Sequence, residues 1–197
     1  MPQTIETTVY TFDELSDSAK EKARNWWREG TAYDDYWHES VYEDAKDCAR
    51  IIGIEIDNIY FSGFSSQGDG ACFEGSYCYA KGSVEAIKQH APQDTSLHRI
   101  ARELAEIQRG NFYALTAKVK HVGRYYHEFS TEIEVYDRNG DLVHADTHDV
   151  VVNLLRDYMR WIYRQLEHEY DWQNADEQVD ENIRINEYTF TKEGKRF

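Results

Sequence analysis

Two runs of residues, "IEIDNIYFSGF" (Ile54–Phe64) and "ACFEGSYCYAK" (Ala71–Lys81), stand on either side of the short stretch Ser65–Gly70. Both read as strands, and in a β-strand successive side chains fall on opposite faces. In the second run Phe73, Tyr77 and Tyr79 share a face, and Cys72, Glu74, Ser76 and Cys78 share the other. Parallel strands need a crossover of a dozen or more residues, so a link this short makes the pair an antiparallel hairpin. Gly68-Asp69-Gly70 supplies the positive φ that a tight turn or bulge demands.

The remaining segments are read around that hairpin. Val9–Phe12 reads as a short strand. Thr11 and Glu14 have capping-box spacing, and Ser16 caps a helix carrying Leu15, Ala19, Ala23 and Trp26 at helical spacing, with Gly30 as its stop. A second helix spans Tyr36–Ile52, with Val41, Ala45, Cys48 and Ile52 on the buried face and Gly53 following as a C-terminal cap. "DTSLHRIARELAEIQ" reads as a helix capped by Asp94 or Thr95, with Leu97, Ile100, Ala101, Leu104 and Ile107 inward. "FYALTAKVKH" and "HEFSTEIEVYD" read as two strands joined near Gly123 and Arg124, and Asn139-Gly140 marks a further turn. The longest helix runs from about Thr147 to Tyr170, with the stripe Val151, Leu154, Leu155, Tyr158, Ile162 and Leu166. The acidic stretch Glu167–Glu181 continues into a short helix, and "NEYTFTKEGKRF" ends the chain as a strand and tail. This order predicts one α+β domain over residues 1–197, with a mainly antiparallel sheet of four to six strands packed against several helices.

The motifs exclude more than they assign. The glycine loop lacks the lysine and Ser/Thr of a phosphate-binding P-loop, and a strand rather than a helix follows it, which excludes a dinucleotide fingerprint. Asp69 stands alone, so the loop does not have calcium-loop spacing. Cys72 lies beside Glu74, whose carboxylate opposes the thiolate that a nucleophile requires. Cys48 sits on the apolar stripe of its helix, as a core residue does. His144, Asp146, His148 and Asp149 are metal-ligand types without a metal-motif spacing, and Asp146 and Thr147 read as helix caps. No metal, cofactor or catalytic residue is therefore expected. The binding candidates are Gln67 and Asp69 on the loop, and Tyr125 and Tyr126 in "GRYYHE".

Charge supplies the other candidates. The formal net charge is −15, which repels a phosphate backbone and disfavours direct nucleic-acid binding. Asp34, Asp35, Glu39, Glu43, Asp44 and Asp47 crowd one stretch; Glu167, Glu169, Asp171, Asp176, Glu177, Asp180 and Glu181 crowd another. Like charges at helical spacing repel by a few tenths of a kcal/mol per pair, and solubility alone does not require such crowding. Fifteen tyrosines and five tryptophans suit an interface as well as a core. Three cysteines without a CxxC pair fit a reducing compartment, and no stretch has the composition of a signal peptide or a membrane span. The expected setting is the cytoplasm.

"YTFDELSDSAKEKARNWWRE", "IYFSGFSSQGDGACFEGSY", "WIYRQLEHEYDW" and "NEYTFTKEGKRF" together resemble a family of small acidic proteins of tailed bacteriophages and prophages, some labelled "antitoxin of toxin–antitoxin stability system". Ser65 stands where many of those proteins carry tryptophan. The resemblance supplies no reaction. It implies a phage-encoded, non-enzymatic protein that binds a basic surface on a host protein and inhibits it, such as a CRISPR, restriction or other defence component. An antitoxin-like neutraliser and a binder of a small nucleotide signal are the alternatives.

Overall fold

A computed structural model describes residues 6–31 and 36–197. In chain order its elements are β1 (Tyr10–Thr11), a 3-10 turn (Phe12–Glu14), α1 (Asp17–Thr31), α2 (Glu39–Ile51), β2 (Ile54–Phe61), β3 (Ala71–Cys78), α3 (Ser83–His90), α4 (Thr95–Gly110), β4 (Thr116–His121), β5 (Thr131–Tyr136), α5 (Ala145–Asn174), α6 (Asp176–Ile185) and β6 (Thr189–Phe190). The fold is α+β. Its main sheet is antiparallel in the order β2-β3-β4-β5, and β1 pairs with β6 in a second, two-stranded sheet. The chain groups into two compact units: His38–Glu167, and the described residues up to Trp37 with His168–Phe197. Among the described residues no helix is long and apolar enough to cross a membrane.

In the larger unit the sheet buries one face. Ile59 lies opposite Phe73, Ile54 opposite Tyr77, Tyr77 opposite Ala117, Ala117 opposite Val135 and Val119 opposite Ile133, and all are buried. The apolar phase of β2 changes midway, from Ile54 and Ile56 to Ile59. A bulge at Asp57 absorbs the extra residue, because Ile56 pairs with Gly75 and Asn58 with Glu74. Gly75 permits the close approach: a Cβ there would lie 1.9 Å from the Glu55 carbonyl oxygen. The stripe read for the longest helix is wholly buried on α5, and Phe73 meets Tyr158 edge to face at 6.2 Å. Tyr158 donates to the Ala45 carbonyl of α2 at 2.5 Å. Asp94 caps α4 through the Leu97 N–H at 2.9 Å and accepts from the Trp161 indole at 2.6 Å.

In the smaller unit Phe12, Leu15, Ala19, Ala23, Val179, Ile183 and Phe190 form a core. The capping box is present: Glu14 accepts from the Thr11 N–H at 2.8 Å and its hydroxyl at 2.9 Å. Gly194 approaches α1 so closely that a Cβ would sit 2.1 Å from the Ala19 carbonyl oxygen.

Several boundaries differ from the sequence reading. Phe12 leaves the strand for the 3-10 turn, because its ring is buried in the small core. α1 runs one residue past Gly30. The second helix begins at Glu39 rather than Tyr36. Phe112 and Tyr113 are not strand: both have positive φ, and the Tyr113 N–H returns to the Gln108 carbonyl to close α4. β5 begins at Thr131, since His127–Ser130 closes a turn through the Ser130 N–H. α5 begins at Ala145 with the His144 carbonyl accepting the first helical bond, so Asp146 and Thr147 lie inside the first turn rather than capping it. α3 had no counterpart in the reading; it is eight residues long and starts from a glycine rather than a side-chain cap.

Candidate functional site

The two binding loops proposed from sequence are neighbours. The β2–β3 loop is closed by Ser62 N–H to the Gly70 carbonyl at 3.0 Å, and the Ser62 hydroxyl reaches the Tyr126 carbonyl of the β4–β5 loop at 3.3 Å. Gly70 packs against His127, leaving a hypothetical Cβ only 3.2 Å from that residue. Phe64 lies beside Phe61 and Tyr163, and Tyr163 donates to the Gly63 carbonyl at 3.0 Å. The loop is thus held by its own side chains and by α5.

Gln67 is exposed at the loop tip, but Asp69 turns inward. One Asp69 oxygen accepts from the Ser65 N–H at 2.9 Å and the Ser66 N–H at 2.6 Å. Successive backbone N–H groups of this kind make an anion nest. Here the loop's own carboxylate fills it, so those two donors are not available to a phosphate.

Tyr125 and Tyr126 are exposed on the β4–β5 loop. The Tyr126 ring stacks on Tyr60 at 5.2 Å, and the His121 ring lies 5.3 Å from each. Tyr60 and His121 share a partner in Glu74, which the sequence reading does not assign to binding. It accepts from the Tyr60 hydroxyl at 2.9 Å, the Asn58 amide at 3.3 Å and the His121 N–H at 3.3 Å. The Tyr60 hydroxyl, with Asn58 and the His121 N–H and against a little burial, holds the Glu74 carboxyl below its ordinary range. The patch is aromatic, with one acid whose bonds are already taken within it.

The acidic clusters separate sharply. Asp34 and Asp35 lie outside the described residues. Glu39, Glu43 and Asp47 lie exposed on the outward face of α2, and Asp44 is exposed on the flank beside Cys48. Asp47 meets Arg50 at 2.6 Å, and Asp44 lies 3.8 Å from His90; among the described residues Glu39 and Glu43 have no ion-pair partner. In the smaller unit Arg24 grips Asp180 with two bonds of 2.7 and 2.8 Å and reaches Asp176 at 3.1 Å. Arg28 meets Asp176 at 2.6 Å and the Asn174 carbonyl at 3.0 Å. Two of the acids assigned to a partner's basic surface therefore face arginines of α1. Glu169 accepts from Gln173 at 2.6 Å, Asp171 and Glu177 are exposed, and Glu167 is half-buried at the end of the larger unit. Two clefts of about 330 and 500 Å³ in the smaller unit are lined by Trp26, Arg196, Phe12, Arg184 and their neighbours, with none of the proposed binding residues.

Cys48 and Cys72 are poorly suited to attack. All three cysteines are free. Burial pushes Cys48 up to about 12 and Cys72 up to about 11, the latter against a backbone N–H of His127. His148 sets its Nε2 against the Ile133 carbonyl at 3.1 Å, which separates its role from that of exposed His144. One mixed group does converge: the ligating atoms of Asp44, Cys48 and His90 lie within 4.8 Å of one another.

A family model, "Domain of unknown function (DUF8835)", matches residues 37–176, which include the whole larger unit. The chain belongs to the DUF8835 family. No curated protein and no solved structure matches it. The DUF8835 match contains α2, both loops and the Asp44, Cys48 and His90 group; α1 and β6 lie outside it.

Proposed function

We propose that this DUF8835 protein is a non-enzymatic interaction protein whose α2 face binds a basic surface on another protein. The observation that carries this reading is the contrast between acids: α2 presents four exposed carboxylates, of which Glu39 and Glu43 have no ion-pair partner among the described residues, whereas Asp176 and Asp180 are neutralised by Arg24 and Arg28. Repeated like charge on one helix face opposes helix stability by a few tenths of a kcal/mol per pair. A cationic partner relieves it and is steered toward it. The resemblance to acidic phage proteins supports a phage-encoded inhibitor of a bacterial defence component, working in the host cytoplasm. An antitoxin-like neutraliser would use the same surface and the same physics.

A nucleotide-signal binder fits less well, because Asp69 fills the loop's anion nest and Glu74 is the charged group of the aromatic patch. The test is affinity capture from bacterial host lysate with the native protein, with Glu39→Gln/Glu43→Gln/Asp47→Asn on α2, and with Glu177→Gln/Glu181→Gln on α6. Asp44 is left unchanged because it also faces Cys48 and His90. The expected result is a specific protein captured by the native and α6 forms and strongly reduced with the α2 form. Equal capture by all three folded proteins rules out the α2 face.

A further inference from the structure

Asp44 and Cys48 are four residues apart on α2, so they share a face one turn apart. His90 is the last residue of α3, and its Nε2 lies 3.8 Å from the Asp44 carboxylate. The thiol, imidazole and carboxylate ligand atoms are all within 4.8 Å of one another. Cys48 is 1% exposed, while Asp44 and His90 open to solvent. The group therefore has a shielded sulfur at its base and an entry path at its mouth. Asp47 and Asp94 add to the negative field at the sulfur.

We propose that Asp44, Cys48 and His90 form a zinc site with a fourth position open to water. The chemistry of the donor set favours a borderline-soft transition metal such as zinc. Thiolate and imidazole suit Zn²⁺ and discriminate against Mg²⁺ and Ca²⁺, which take oxygen ligands. Zinc bonds of about 2.0–2.3 Å place tetrahedral ligand atoms roughly 3.3–3.7 Å apart. Small side-chain rotations bring a group already within 4.8 Å to that spacing. Three protein ligands with a water in the fourth position is the arrangement of an accessible zinc site rather than a closed structural one. The sulfur gives up its proton as the metal binds. The site links α2 to α3, so zinc clamps the two helices together.

The sequence has no motif for this site because His90 comes from a separate helix, 42 positions after Cys48. The test uses the full chain purified without a polyhistidine tag, stripped with a chelator and titrated with Co²⁺. The expected result is one equivalent bound, with the intense visible bands of tetrahedral cobalt and a near-ultraviolet thiolate-to-cobalt charge-transfer band, both abolished by added Zn²⁺. Cys78→Ser, which removes the exposed thiol, leaves the band. Cys48→Ser abolishes it, and His90→Gln weakens cobalt binding more than about tenfold. His90 is exposed, so that variant keeps the test sound if Cys48→Ser fails to fold. Absence of a saturable charge-transfer band in the native protein overturns the proposal. So does a band that survives in folded Cys48→Ser, or one unchanged by His90→Gln.

Discussion

Asp157 shows how a single acid depends on its neighbours. Arg99 reaches it at 2.6 Å, and Arg160 bonds its other oxygen. Burial pushes its carboxyl up, but the two arginines together hold it below the ordinary value. A carboxylate held low stabilises the fold above its unfolded pKa of about 4 and loses that contribution as pH falls through the lower folded value. Asp157→Asn is expected to cost about 1 kcal/mol at neutral pH, since the pair is only partly shielded from water. Denaturation followed from pH 7 to pH 2 should show a smaller stability loss in the variant than in the native protein. A parallel acid limb would remove Asp157 from the account. Arg24 is the counterpart in the smaller unit: its grip on Asp180 reserves that acid for folding and takes it out of the exposed acidic surface.

At the scale of elements, the β2–β3 hairpin depends on close approach at one glycine and on backbone freedom at another. Gly75→Ala would drive a Cβ into the Glu55 carbonyl, and is expected to cost roughly 2 kcal/mol or more. Gly68 has positive φ but open space around it, so Gly68→Ala should cost only about 1 kcal/mol. Urea denaturation of the two variants measures the difference, and equal costs would show that crowding at the bulge is not what matters. The hairpin, the α5 stripe and the Asp94 cap were legible in the sequence because each is a local pattern of period, cap or turn. α3 was not, because it lacks a side-chain cap and is short. Phe112 and Tyr113 read as strand with the alternating run that follows them, yet the backbone reverses there to close α4. The candidate site was less legible for a related reason. Asp180 and Glu43 look alike in a run of acids, and only the fold brings Arg24 to one of them. The same holds for Tyr60 with Tyr126, and for His90 with Cys48: residues far apart in the chain meet through sheet and helix packing, which no spacing announces.

At the scale of the whole molecule, a net charge of −15 makes long-range attraction to a cationic partner strong and salt-sensitive. The central claim is narrower: the exposed acids of α2, rather than the overall charge, direct binding. The measurement that tests it is the association rate of the captured partner as salt rises from about 10 mM to about 150 mM, where the screening length falls from about 30 Å to about 8 Å. The account predicts a steep fall for the native protein and for Glu177→Gln/Glu181→Gln. It predicts a slower rate at low salt and a distinctly flatter dependence for Glu39→Gln/Glu43→Gln/Asp47→Asn. Identical rates and slopes in the native and α2 proteins would contradict it, and would show that the α2 carboxylates are only a solvated face.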